Sequence, residues 1–248
     1  MAEDRGVLFG AAPPGPVTWA YGDHRDQIAE VWPGSDRCVV LLHGGFWREE
    51  YDRSHLRLMA SRLAADGVTV ALPEYRRVGG SGGWPETFDD VRTVMAQLPS
   101  QVAATAVLVA GHSAGGHLAL WAGAVAPPTH LVGVVALAPV ADLAEAHRRG
   151  LDRDAVQALL AAGPDEAPDR YRQVDPVALA APACPVRLLH AADDDLVPIA
   201  LSRAYVRRHP AAKLTEVPGG HFGVVDPDST AWPAVRAAMH DGWAPLAQ

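Results

Sequence analysis

The chain has 248 residues, 49% of them apolar and 20% charged, with a net charge of −8 and a pI near 5.7. That is the balance of a globular protein with a large core rather than of a disordered or membrane one. The acidic charge argues against a nucleic-acid partner, because backbone binding needs clustered Lys and Arg, and pairs such as Arg207-Arg208 read as solvated helix surface.

The first residues, MAEDRGVLFGAAPPGPV, carry early acids and no long apolar stretch. The expectation is therefore a cytoplasmic chain with neither secretory signal nor membrane anchor. VTWAYG and IAEVW, ahead of Cys38, suit an antiparallel pair at a sheet edge. Continuous apolar runs then follow at about 38–42, 68–72, 105–110, 132–138, 185–190 and 213–217. Unbroken rather than alternating runs are the mark of strands covered on both faces, as in a parallel sheet.

Between the runs, Ser54 to Gly67 has a capping residue, apolar positions at helical spacing and a glycine stop; Asp89 to Leu98 is also helical. The βαβα alternation predicts a doubly wound, mostly parallel α/β sheet with helices on both faces, in one domain covering 1–248. Its ligand site is expected beyond the carboxyl ends of the strands. Residues 141–181 interrupt the rhythm with two or more helical stretches and form a candidate cap or lid insertion. Cys38 and Cys184 each open an apolar run and read as buried free thiols. No H-x-H or H-E-x-x-H spacing occurs, so a local zinc motif is not supported.

The run TAVLVAGHSAGGHLALWAGA, residues 105 to 124, breaks at Gly111-His112-Ser113-Ala114-Gly115. G-x-S-x-G between a strand and a helix is a nucleophile elbow: the turn is so tight that only glycines fit beside the projecting serine. His43-Gly44-Gly45-Phe46-Trp47 follows the strand CVVLL, where backbone N–H groups can receive the negative oxygen of a tetrahedral intermediate. Gly45, Phe46 and Ala114 are the expected donors, and His43 is scaffolding. Farther on, Asp193-Asp194-Asp195 and His221 each follow a predicted strand, giving Ser, Asp and His in the chain order expected for an α/β fold of this kind. The residues alone leave the choice among the three aspartates open.

These motifs resemble the α/β-hydrolase superfamily, and within it the HGGxW branch of kynurenine formamidase (arylformamidase) and related esterases, over about residues 36 to 240. The resemblance implies an α/β-hydrolase fold. It also implies a nucleophile at Ser113, a base at His221 and, through the D-x-x-V-P pattern, an acid at Asp194. Glu74-Tyr75-Arg76, Trp84-Pro85 and Asp89-Asp90 resemble a structural stretch of the hormone-sensitive-lipase-like group.

The pocket is expected from 46–52, 76–88, 141–180 and 222–226, with Trp47, Trp84 and Phe222, together with Phe46, as candidate lining. Arg48 and Arg76 are the arginines that could meet a charged substrate. The expected function is a serine hydrolase acting on a small carboxylic ester or aryl (form)amide through an acyl-enzyme. The substrate is its small-molecule partner, no cofactor or metal takes part, and the state is monomer or homodimer. A prolyl-oligopeptidase-like peptidase, and a receptor built on a hydrolase fold, are the alternatives.

Overall fold

The computed structural model describes Gly6 and residues 12–243. Eight strands form one sheet: β1 (Val17–Ala20), β2 (Ile28–Trp32), β3 (Arg37–Leu42), β4 (Thr69–Pro73), β5 (Ala106–His112), β6 (Leu131–Leu137), β7 (Val186–Ala191) and β8 (Lys213–Val217). Their spatial order is β1-β2-β4-β3-β5-β6-β7-β8. The β1–β2 and β2–β4 pairs are antiparallel and the other pairs parallel. The six expected apolar runs coincide with β3 to β8 within a residue or two, and the expected edge pair is β1 and β2.

Strand periodicity divides the core into two layers, because alternate side chains point to opposite faces. On β3, Cys38, Val40 and Leu42 face one layer, and Val39 and Leu41 face the other. The first layer packs under α2 (Glu86–Gln101) and α3 (Ala114–Val125) through Phe88, Val91, Met95 and Leu118. The second packs under α1 (Arg57–Ala64) and the late helix Trp232–Asp241 through Met59, Leu63, Val235 and Met239. Strands covered on both sides have no polar face, which is why their sequences read as unbroken apolar runs.

The helix expected from Ser54 begins differently. Asp52 caps a 3-10 turn, Arg53–Leu56, by accepting from the Ser54 N–H at 2.8 Å, and the regular helix starts only at Arg57. The stop at Gly67 stands, at φ +87°. Residues 141–181 carry three helices: α4 (Leu143–Arg148), α5 (Leu151–Leu160) and α6 (Pro168–Val174). Numbering continues with α7 (Ala200–Arg208), the short α8 (Gly220–Gly223) and α9 (Trp232–Asp241). Cys38 is a buried free thiol and Cys184 a half-buried one. Among the described residues, no helix is long and apolar enough to cross a membrane.

This is the α/β-hydrolase fold. Its parallel strands deliver the four motifs to one rim: His43 after β3, Ser113 after β5, Asp194 after β7 and His221 after β8. The site lies where an open α/β sheet places a ligand.

Candidate active site

Ser113 joins β5 directly to α3 at φ 57°, ψ −117°, a conformation that costs about 1–3 kcal/mol and persists only where the surroundings enforce it. Its N–H donates to the Leu137 carbonyl at 2.8 Å, and its carbonyl accepts from the His117 N–H at 3.0 Å. The neighbouring glycines are steric requirements. A Cβ on Gly111 would lie 2.1 Å from the Gly115 carbonyl oxygen, and one on Gly115 would lie 2.1 Å from the Leu42 oxygen. Without side chains at these positions β5, α3 and the end of β3 close around the serine.

Opposite the elbow, Gly45, Phe46 and Trp47 are successively left-handed at φ 104°, 47° and 57°. The turn is anchored from below. His43 stacks on Tyr75 at 4.3 Å, its Nδ1 donates to the Gly44 carbonyl at 2.8 Å, and its Nε2 lies 2.6 Å from Glu74 Oε1. The Tyr75 hydroxyl donates to the His43 carbonyl at 2.7 Å. Glu74 also faces Arg77 and accepts from the Arg53 N–H at 3.1 Å. Burial alone would raise its pKa, but the His43 and Arg77 charges and these hydrogen bonds hold it well below the usual carboxylate range. Among the described residues, the N–H groups of Phe46 and Ala114 find no protein acceptor. Ala114 opens α3, where the helix dipole favours negative charge.

Of the three aspartates, Asp194 is buried, while Asp193 and Asp195 are exposed. Asp194 Oδ2 lies 2.7 Å from His221 Nδ1 and 3.1 Å from His190 Nε2, and Oδ1 accepts the N–H groups of Leu196 at 2.9 Å and Val197 at 2.7 Å. Burial pushes its pKa up, but the hydrogen bonds from His190, His221 and the Val197 N–H outweigh that and hold it well below the usual carboxylate range. His190 is fixed in turn by Ser202 Oγ at 2.7 Å and the Val197 carbonyl at 2.8 Å. Asp193 accepts from the Gly220 N–H at 3.3 Å, steadying the loop that presents His221.

Ser113 and His221 line one cavity of about 80 Å³. Gly45, Phe46 and Phe222 share its wall. Two expectations need correction. Trp47 is fully buried beneath its turn, edge-on to His117 at 5.2 Å, and Trp84 packs on Phe88 at 5.3 Å. Both serve the core layer rather than the cavity, because the aromatic surface they bury is worth more against other apolar groups.

Tyr51 and Asp152 complete the lining from two of the expected segments, 46–52 and 141–180, while His55, His112 and Leu196 join it from outside them. His112 Nε2 donates to the His221 carbonyl at 2.9 Å, and burial together with the nearby His221 keeps its ring neutral. Arg48 and Arg76 are both committed, to Asp152 at 2.6 Å and to Asp90 at 2.7 Å. A larger groove of about 540 Å³, bounded by Arg37, Asp66, Arg236 and Trp243, involves the opposite, amino end of β3 and holds no nucleophile. Among the described residues no cluster of three ligating side chains is placed to hold a metal ion.

Comparison with known proteins agrees with this architecture. The BD-FAE family model matches residues 32–208. Esterase LipC of Mycobacterium tuberculosis is 27% identical over 228 residues, covering 79% of this chain. The chain spans 55% of that relative's length. A truncated carbohydrate esterase from gut microbiota superposes with a TM-score of 0.77 at 17% identity, covering 94% of this chain and 99% of the other. An acetyl ester-xyloside bifunctional hydrolase from Caldicellulosiruptor lactoaceticus gives 0.75 at 18% identity, over 94% and 99%. Esterase B from Lactobacillus rhamnosis gives 0.71 at 20% identity, over 96% and 89%. At these identities the structural likenesses speak for the fold.

Proposed function

The chain belongs to the BD-FAE family, and from that premise we propose that it is a serine esterase acting on small carboxylic esters through an acyl-enzyme. The observation that carries the reading is the buried Asp194–His221 hydrogen bond, 2.7 Å long, at a cavity that also holds a serine at positive φ. The names of its relatives, esterases acting as such or on carbohydrate, support the same reaction.

In this mechanism His221 Nε2 takes the Ser113 hydroxyl proton as Oγ attacks the carbonyl carbon. Asp194, ionised and held by four hydrogen bonds, fixes the imidazole through Nδ1–H and stabilises its positive form. The negative oxygen lies against the N–H groups of Gly45, Phe46 and Ala114, which are oriented before the reaction starts. Collapse breaks the bond to the leaving group, which receives the proton from His221 and departs as an alcohol. Water, deprotonated by His221, attacks the acyl-serine and releases the acid. Residues 141–181 act as the cap over this rim.

An aryl formamide is the second reading, favoured by the size of the cavity, since formyl is the smallest acyl group. The pairing of Arg48 and Arg76 with carboxylates weighs against an amino-acid-like substrate that needs a free cation. Wild type and Ser113→Ala, assayed on p-nitrophenyl acetate, p-nitrophenyl octanoate and N-formyl-L-kynurenine, separate these readings. The expected result is acetate turnover that exceeds the other two and vanishes in the variant. Higher turnover of the formamide would replace the ester reading, and a variant equal to wild type on all three would leave a binding protein.

A further inference from the structure

Residues 141–181 reach the cavity through one lining side chain, Asp152. Asp152, Arg153 and Asp154 are consecutively left-handed, at φ 44°, 55° and 64°, directly after Gly150 at φ 62° and Leu151. That conformation is unfavourable for any residue with a Cβ, and a run of three survives only where other contacts over-determine it. Asp154 Oδ1 lies 3.0 Å from His147 Nδ1, while at Asp152 the contacts come from Arg48. Its Nε donates to Asp152 Oδ2 at 2.6 Å, and its Nη2 donates to the Asp152 main-chain carbonyl at 2.7 Å. One guanidinium therefore grips both the side chain and the backbone of the strained residue.

Arg48 is itself fixed to the opposite wall. Its N–H donates to the Gly45 carbonyl at 2.9 Å, and on either side of it Val78 N–H donates to Trp47 and Glu49 N–H to Val78. The far end of α5 is tied at Leu159, whose carbonyl accepts the Trp84 N–H at 2.8 Å. Arg153 and Glu50, 3.7 Å apart and exposed, add little. Arg48 thus joins the turn carrying Gly45 and Phe46 to the segment that adds Asp152 to the cavity wall.

Resting on the esterase reading above, we propose that the Arg48–Asp152 clamp sets the longest acyl group the site accepts. A cavity of about 80 Å³ is roughly half the ~150 Å³ of an apolar cavity that takes a benzene ring, which suits an acetyl or propionyl group and not an octanoyl chain. The wall that stops the chain is partly a carboxylate, and an alkyl chain pressed against it would strip water from a charge without replacing it. Releasing the clamp frees Asp152, the one residue of the segment that lines the cavity, so that it relaxes away from the wall and longer chains enter.

The test compares specificity constants on p-nitrophenyl acetate, butyrate and octanoate for wild type, Arg48→Ala, Arg48→Lys, Asp152→Asn and Asp152→Ala. Circular dichroism identifies the folded variants, and if Arg48→Ala fails to fold, the Asp152 variants decide. The octanoate-to-acetate ratio should rise about tenfold or more in Arg48→Ala and Asp152→Ala, the scale at which a few methylenes are discriminated. It should rise less in Arg48→Lys, which keeps the charge and loses the forked donation. An unchanged ratio in the folded variants overturns the proposal. So does parallel loss of turnover on all three esters, which would assign the pair to alignment of the Gly45–Phe46 turn. Ser113→Ala runs beside them: if it retains turnover, the esterase reading has failed, whatever the ratios show.

Discussion

Replacing Gly115 by alanine tests whether the elbow is set by close backbone packing. The new Cβ would lie 2.1 Å from the Leu42 oxygen and 2.4 Å from the His43 oxygen, whereas real Cβ atoms essentially never come closer than 3.0 Å. Both obstacles are backbone, so no side chain can rotate away, and α3 must retreat from β3 by about 0.9 Å. Ser113 cannot stay behind, because its carbonyl accepts the His117 N–H at 3.0 Å inside α3. The retreat separates Ser113 and Ala114 from the Gly45–Phe46 turn. Misplacement by roughly 1 Å costs about 100-fold in rate, which corresponds to about 2.7 kcal/mol of barrier. Overpacking should also lower stability by about 1–3 kcal/mol.

The assay is kcat/KM on p-nitrophenyl acetate together with thermal denaturation. Gly67→Ala is the control: its Cβ meets nothing within 4 Å, but φ +87° penalises it, so it should lose about 1–2 kcal/mol of stability at unchanged kcat/KM. If Gly115→Ala matched wild type in both rate and melting temperature, the packing argument for the elbow would be refuted.

Asp194→Asn should lower kcat by about 10⁴-fold, the loss expected when the base is held in the wrong tautomer, while Asp195→Asn, at an exposed position, should stay near wild type. The reverse order in steady-state kinetics would move the acid to Asp195. Glu74→Ala strands His43 and Arg77 without their shared anion and should cost about 3–5 kcal/mol, or roughly 6–20 °C in melting temperature for a chain of this size. A loss under about 1 kcal/mol, as for a surface pair, would contradict the anchoring role.

Burial lowers the pKa of His55 and His117 to about 4 from the ordinary histidine value of 6.5. Between those values the unfolded chain binds more protons than the native one. Stability from these two rings is therefore complete above pH 6.5 and is lost as pH falls toward 4. His117→Gln keeps a donor for the Val174 carbonyl, bonded at 3.0 Å in wild type, and should flatten the slope of stability against pH in this window by up to about 1.4 kcal/mol per pH unit. Denaturant titrations from pH 7 to 4 would show it, and an unchanged slope would mean that His117 is not carried neutral into the fold.

The strands and motifs were legible because each rests on a local physical signal. A strand covered on both faces must be apolar throughout, and the tight turn at Ser113 demands Gly111 and Gly115. The choice of Asp194 over its neighbours rested on resemblance; of the three, Asp194 alone is buried, against His190, His221 and two backbone N–H groups. The cavity wall was less legible. Nothing local in the sequence distinguishes an aromatic facing a cavity from one facing the core, so Trp47 and Trp84 were misplaced. Asp152 is brought beside Arg48 across 104 residues of chain, through a left-handed run at Asp152–Asp154 that contains no glycine. His43 and Glu74, 31 residues apart, are likewise joined only by the parallel pairing of β3 with β4.

The central claim is that Ser113 is the nucleophile. Its most direct test is stoichiometric trapping with a fluorophosphonate, read by intact mass and peptide mapping in wild type, Ser113→Ala and His221→Ala. One adduct per chain is expected, on the peptide containing Ser113, absent in Ser113→Ala and strongly slowed in His221→Ala. An adduct on another residue, or equal labelling of Ser113→Ala, would contradict the account.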